Sequence, residues 1–198
     1  MKALRNEKIL IQKSNTNHKK KKIIVVLASI LATLILFLIG FSYLGYKAKL
    51  QNIEFLDQNT DIDVKTFPSE GRKHTKEKVT YKTFPPTSGN HNPTPADYGF
   101  YKSPVPFENL VHSLEHGDIV IYYNASLLKK NELKQLKELS EIIYKGSGIE
   151  VVPNSQIKEA VVLTAWTKML NLQSFNEKKI KQFIYDYIYK GPEKIDHR

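Results

Sequence analysis

The sequence predicts an α+β protein, with an N-terminal transmembrane helix followed by a small mixed-sheet domain with packed helices. Three observations carry this. Residues 23–46 form an apolar run without a charge. Residues 84–106 hold six of the nine prolines, which fix φ and remove donors, so this stretch is neither a regular helix nor a central strand. Beyond residue 106, short apolar runs alternate with segments of helical period, the pattern of helices packed on a mixed sheet.

Residues 1–22 contain eight Lys/Arg and one acid, so +7 of the net charge of +10 lies in this tail and +3 in everything else. So modest an excess over a long segment predicts no nucleic-acid surface. The run at 23–46 is long enough to cross a hydrocarbon core of about 30 Å. Tyr43 and Tyr46 stand at its far end, where amphipathic rings favour the interface. The basic residues 19–22 abut its near end, so the positive-inside rule places 1–22 in the cytoplasm and 47–198 outside. A basic tail there can also attract anionic lipid, but setting the orientation is the reading preferred for it. The run exceeds the core of a cleaved signal and lacks an A-x-A-like site, which makes it an uncleaved signal anchor in the lipid bilayer. The chain has no cysteine, which excludes disulfides, thiolate metal sites, a redox dithiol and a lipidated cysteine.

Residues 47–77 are polar and mixed in charge and read as a spacer, with 50–58 able to extend the membrane helix by a turn or two. His74, among Arg72, Lys73 and Lys76, reads as solvated, as do His18 and His197. The extracytoplasmic domain is then 78–198. Residues 79–83 predict a short edge strand. The loop at 84–106 carries Phe84, Tyr98, Phe100 and Tyr101, too many aromatics for a disordered segment, and reads as ordered. Residues 106–117 suit a short helix with Pro106 in the first turn and Gly117 as the stop. Residues 118–123 follow as a buried strand. At 131–145, Leu133, Leu136, Leu139, Ile142 and Ile143 fall near one helical face, with Gly146 and Gly148 ending that helix. Residues 149–153 and 159–166 read as strands. Ser174 to Glu177 has the form of a capping box and opens a helix with Ile180, Phe183, Ile184, Tyr187 and Ile188 on one face, closed at Gly191 and Pro192.

The sharpest chemical pattern is His112-Ser-Leu-Glu115-His116. At 100° per residue, His116 lies about 40° round the helix from His112 and Glu115 about 60° the other way, so all three share a face. Two imidazoles one turn apart can hold one metal ion. His91, in the turn sequence Ser88-Gly-Asn-His-Asn-Pro93, can fold over that helix as a third ligand. The metal set is then His91, His112 and His116, with Glu115 as a fourth ligand or as an outer acceptor that orients an imidazole. Zinc or copper suits such donors. The same letters match the inverted zinc-protease signature, with Glu115 as general base of a cell-surface hydrolase. That motif needs a longer helix and a distant acidic ligand; Glu193 lies downstream, but in a C-terminal tail. A third reading gives the histidines to the fold alone: His116 bonding the last helix carbonyls, His91 holding a turn, and the proline-rich loop serving as a contact surface of an envelope module.

Several spaced segments here resemble a bacterial family, domain-of-unknown-function family number 3105. They are 85–91 (Pro-Pro-Thr-Ser-Gly-Asn-His), 96–101 (Ala-Asp-Tyr-Gly-Phe-Tyr) and 109–117 (Asn-Leu-Val-His-Ser-Leu-Glu-His-Gly), with weaker echoes at 163–166 and 191–193. Asn90 stands where the family pattern has proline. The resemblance implies a single-span membrane protein with an outer domain of unassigned activity, and it brings no catalytic residues with it.

Overall fold

The computed structural model describes residues 24–44 and 53–194. These fall into two units, one within Met1–Ala48 and one within Lys49–Arg198. The basic tail, Tyr46, His18 and His197 lie outside the described residues.

The first unit is helix α1, Ile24–Leu44, long and apolar enough to cross a membrane. Its large apolar side chains are exposed all round, from Ile24 to Leu44. An apolar surface on every face is what a lipid environment covers and a soluble core would not leave bare.

The second unit is a mixed sheet of six strands with helices on both faces. In chain order it contains β1 (Lys65–Thr66), β2 (Gly99–Phe100), α2 (Phe107–Glu115), β3 (Ile119–Tyr123), α3 (Lys130–Leu139), β4 (Ile149–Pro153), β5 (Val161–Ala165), β6 (Lys168–Leu172) and α4 (Glu177–Tyr187). The sheet order is β1-β6-β5-β3-β4-β2. The pairs β3–β4 and β2–β4 are parallel; β3–β5, β5–β6 and β1–β6 are antiparallel.

Alternation along the central strands sends side chains to two separate cores. Ile119, Ile121, Val151, Leu163 and Leu170 meet Leu136 of α3 and Ile180, Phe183 and Ile184 of α4. Val120, Tyr122, Val152, Val162 and Met169 meet Leu110 and Leu114 of α2 on the other side. With both faces covered, all five residues of β3 are buried.

The structure differs from the sequence expectations at several places. The proposed spacer does not stand apart over its described part. Ile53 and Leu56 are buried in the α3/α4 core, Glu54–Leu56 forms one turn of 3-10 helix, and β1 pairs with β6. No strand forms at 79–83, because its backbone donors go to carboxylates: Val79 N–H to Glu108 Oε1 at 3.0 Å and Lys82 N–H to Glu70 Oε2 at 3.1 Å. Helix α3 ends at Leu139, and the chain turns back through Lys145 and Gly146, both at positive φ, so that Ile142 and Tyr144 rest on the same core. Helix α4 is capped by Asn176, whose side chain accepts from Lys179 N–H at 3.1 Å, two residues later than the Ser174 box. Strand β6 is an addition. The turn before it uses Thr167 at φ 62, a β-branched residue that no turn rule selects.

Candidate metal centre

Helix α2 presents the centre. Pro106 is its N-cap, and its end is a Schellman motif. Gly117 N–H bonds Leu114 O at 3.0 Å, Asp118 N–H bonds Ser113 O at 3.1 Å, and Gly117 has φ 89. The helix therefore ends on Glu115, with His116 as its C-cap.

The proline-rich loop lies along α2 and is bonded to it repeatedly. Asn92 N–H donates to Glu108 O at 3.1 Å and Ala96 N–H to Asn109 O at 3.2 Å. The Ser113 hydroxyl donates to Ala96 O at 3.2 Å. Asn109 Nδ2 donates to Thr94 O at 2.8 Å. This zipper brings His91 over the last turns of the helix. A single parallel bridge, His74 with His91, lays a third segment alongside. His91 N–H bonds Lys73 O at 3.1 Å and Thr75 N–H bonds His91 O at 2.7 Å.

Four side chains converge: His74, His91, His112 and Glu115 each place one donor atom within 4.8 Å of the others. The ring centroids of His74, His91 and His112 are 4.8–5.0 Å apart. Of the residues expected from sequence, His91, His112 and Glu115 are thus together. His116 stands one step aside, its Nε2 3.1 Å from His112 Nε2, and groups with Glu115 and Glu193. His74 joins them, its side chain half exposed at 50%. The sequence reading of His74 as solvated missed this, since a histidine among lysines in a polar stretch has no period to read; the bridge to His91 is what recruits it.

The ring nitrogens are sorted by the backbone. His91 Nδ1 faces Gly89 O at 2.8 Å and His112 Nδ1 faces Asn92 O at 2.6 Å. A carbonyl only accepts, so both Nδ1 atoms carry the proton and both Nε2 atoms point a lone pair inward when the rings are neutral. Burial, more than any neighbour, holds the His112 pKa below its ordinary value, with the His91 and His74 rings adding to this and the Asn92 and Glu115 contacts opposing it. The neutral form is therefore favoured at His112.

His91 is fully buried, and its Nε2 lies 3.0 Å from Glu115 Oε2. The distance suits a hydrogen bond, but the alignment does not, and Nε2 has no hydrogen-bond partner. A buried lone pair facing a carboxylate oxygen is unfavourable unless a proton on the ring or a metal cation lies between them. Two ligands on one zinc ion, at 2.0–2.1 Å and a tetrahedral angle, are about 3.3 Å apart. The spacing at His91 and Glu115 is close to that.

Glu115 is 2% exposed, and its oxygens are divided in role. Arg72 Nε donates to Oε1 at 2.6 Å, while Oε2 turns to His91 and His74. One oxygen is anchored and one is presented, the usual arrangement of a ligating carboxylate with outer support. For a hydrolytic base the same facts are less suitable, since the carboxylate is closed in and already bonded. Trp166, at the β5–β6 turn, sets its ring edge-to-face with His91 at 6.5 Å.

Comparison with known proteins adds one finding. A family profile described as Protein of unknown function (DUF3105) matches residues 72–198, a span that includes Arg72, all four converging residues and Glu193. No curated protein and no solved structure matches the chain. On the extent of that match, the chain belongs to the family described as Protein of unknown function (DUF3105).

Proposed function

We propose that this is a single-pass membrane protein whose outer unit binds one transition-metal ion, zinc or copper, through His74, His91, His112 and Glu115. The observation that carries the reading is His91 Nε2, fully buried, without a hydrogen-bond partner and 3.0 Å from a carboxylate oxygen. His112 offers a second inward nitrogen fixed in the same way, and Arg72 holds the carboxylate in place. The donors are nitrogen and oxygen only, and a chain without cysteine has no thiolate to add. Helix α1 supplies the anchor, and the basic residues on its N-terminal side favour a cytoplasmic tail and an extracytoplasmic metal domain.

The purely structural reading has its own support in the two Nδ1 bonds, which tie the loop together whether or not a metal is bound. The two readings part at Nε2. Full-length protein in detergent, loaded with zinc or copper and passed through a desalting column, should retain at least one ion per chain. A His91→Ala/His112→Ala double variant should retain none. Equal and negligible metal in both proteins would leave only the structural reading.

A further inference from the structure

The segment after α4 returns to the metal centre. Tyr189 N–H donates to Gly117 O at 2.8 Å and Glu193 N–H to Glu115 O at 3.0 Å. Gly191 comes so close to the end of α2 that a Cβ there would run into the Glu115 carbonyl oxygen and the Gly117 nitrogen. A Cβ on Gly117 would in turn meet Tyr189 Cα at 2.9 Å. Two glycines face each other so that two backbones can touch. The contact delivers one carboxylate, Glu193, to the buried residues Glu115 and His116. One donor atom from each of these three lies within 4.8 Å of the others.

We propose that Glu115, His116 and Glu193 form a second cation position beside the first. Glu115 is common to both groups, so the centre holds two divalent transition-metal ions bridged by its carboxylate. This rests on the reading of Glu115 as a ligand of the first ion. The Nε2 atoms of His112 and His116, 3.1 Å apart, then serve one ion each, in a pair of ions about 3.5–4 Å apart. Arg72 is the cation already present between the carboxylates, 2.6 Å from Glu115 Oε1 and 3.8 Å from Glu193 Oε2. The second contact is long, with Arg72 47% and Glu193 46% exposed, and such a pair is weak. A divalent ion therefore displaces it at Glu193 while Arg72 keeps its short bond to Glu115. Glu193 is also the most exposed donor of this group, which makes the second position the one that opens to solvent.

The test is a copper(II) titration of full-length protein in detergent, followed by bound metal and by electron paramagnetic resonance. The wild type should take two equivalents, and the signal should grow over the first and fail to double over the second, because bridged ions couple. Glu193→Gln, a conservative change at an exposed side chain, should take one equivalent with an uncoupled signal, and His116→Ala should do the same. Saturation of the wild type at one equivalent, or two equivalents in both variants, would overturn the second position. No binding by the wild type would overturn the first position and the second with it.

Discussion

His91 is held by a series of small contacts that lead back to Tyr81. The Tyr81 hydroxyl donates to Asn90 O at 2.9 Å, and Gly89, at φ 133, sits on the Tyr81 ring so closely that a Cβ would lie 2.9 Å from Cε1. Asn90 Oδ1 accepts from Lys73 N–H at 3.1 Å, a bond that the proline of the family pattern could not make. Tyr81 thus positions the turn that presents His91. Tyr81→Phe should cost about 0.5–1.5 kcal/mol in chemical denaturation, the usual worth of one such bond. Burial, with Glu108 and Glu70 adding to it, raises the Tyr81 hydroxyl well above its ordinary 10.0. The sign follows: near neutrality both folded and unfolded chains are protonated, and above pH about 10 only the unfolded chain loses the proton. Stability should therefore fall as pH rises past 10, and the fall should be shallower in Tyr81→Phe. An equal slope in the two proteins would show that Tyr81 is not the group responsible. At this scale the sequence showed which side chains are of a type that can ligate a metal, but not the partners that orient them. His74 and Arg72 sit in a stretch without periodicity and reach the centre through a backbone bridge, ring contacts and the ion pairs of Arg72.

Among the elements, α2 was legible from end to end. Pro106 and Gly117 mark its limits, and the i, i+3, i+4 spacing from His112 puts Glu115 and His116 on the same turn. Strand β4 is likewise bounded as expected at 149–153. The return segment at 189–193 was not legible, because Gly191 and Pro192 read equally as a helix stop. Their use here is a close backbone approach, and that depends on a helix that lies far off in sequence. Gly191→Ala tests it. A methyl group directed at the Glu115 carbonyl and the Gly117 nitrogen has backbone on its far side and cannot be relieved by a rotamer change. Thermal or urea unfolding should show a loss of about 1–3 kcal/mol, the range for overpacking. A change within a few tenths would mean that the strap lies looser on α2 than described. Strand β6 escaped notice for a related reason: its residues 168–172 read Lys-Met-Leu-Asn-Leu, a weak alternation, and the preceding turn carries no Gly, Asn or Pro.

Across the whole molecule, the division into an apolar helix and an α+β unit was visible in composition alone, since a charge-free run and a proline-rich loop leave few alternatives. The extent of the second unit was harder to see. The stretch at 53–66 is polar on average but places Ile53 and Leu56 in the core and adds β1 to the sheet edge, effects that only tertiary packing determines. The orientation of the chain can be measured cleanly because it has no cysteine. Single-cysteine variants Ser14→Cys, in the basic tail, and Ser155→Cys, on the surface of the second unit, should differ in intact cells: a membrane-impermeant maleimide should label only the second. Labelling of Ser14→Cys alone would invert the topology. The central claim concerns the ion itself, and X-ray absorption at the zinc edge of loaded full-length protein tests it most directly. The account predicts a nitrogen/oxygen shell at about 2.0–2.1 Å with the multiple scattering of at least two imidazoles, lost in His91→Ala/His112→Ala. A shell without imidazole scattering, unchanged in the double variant, would contradict it.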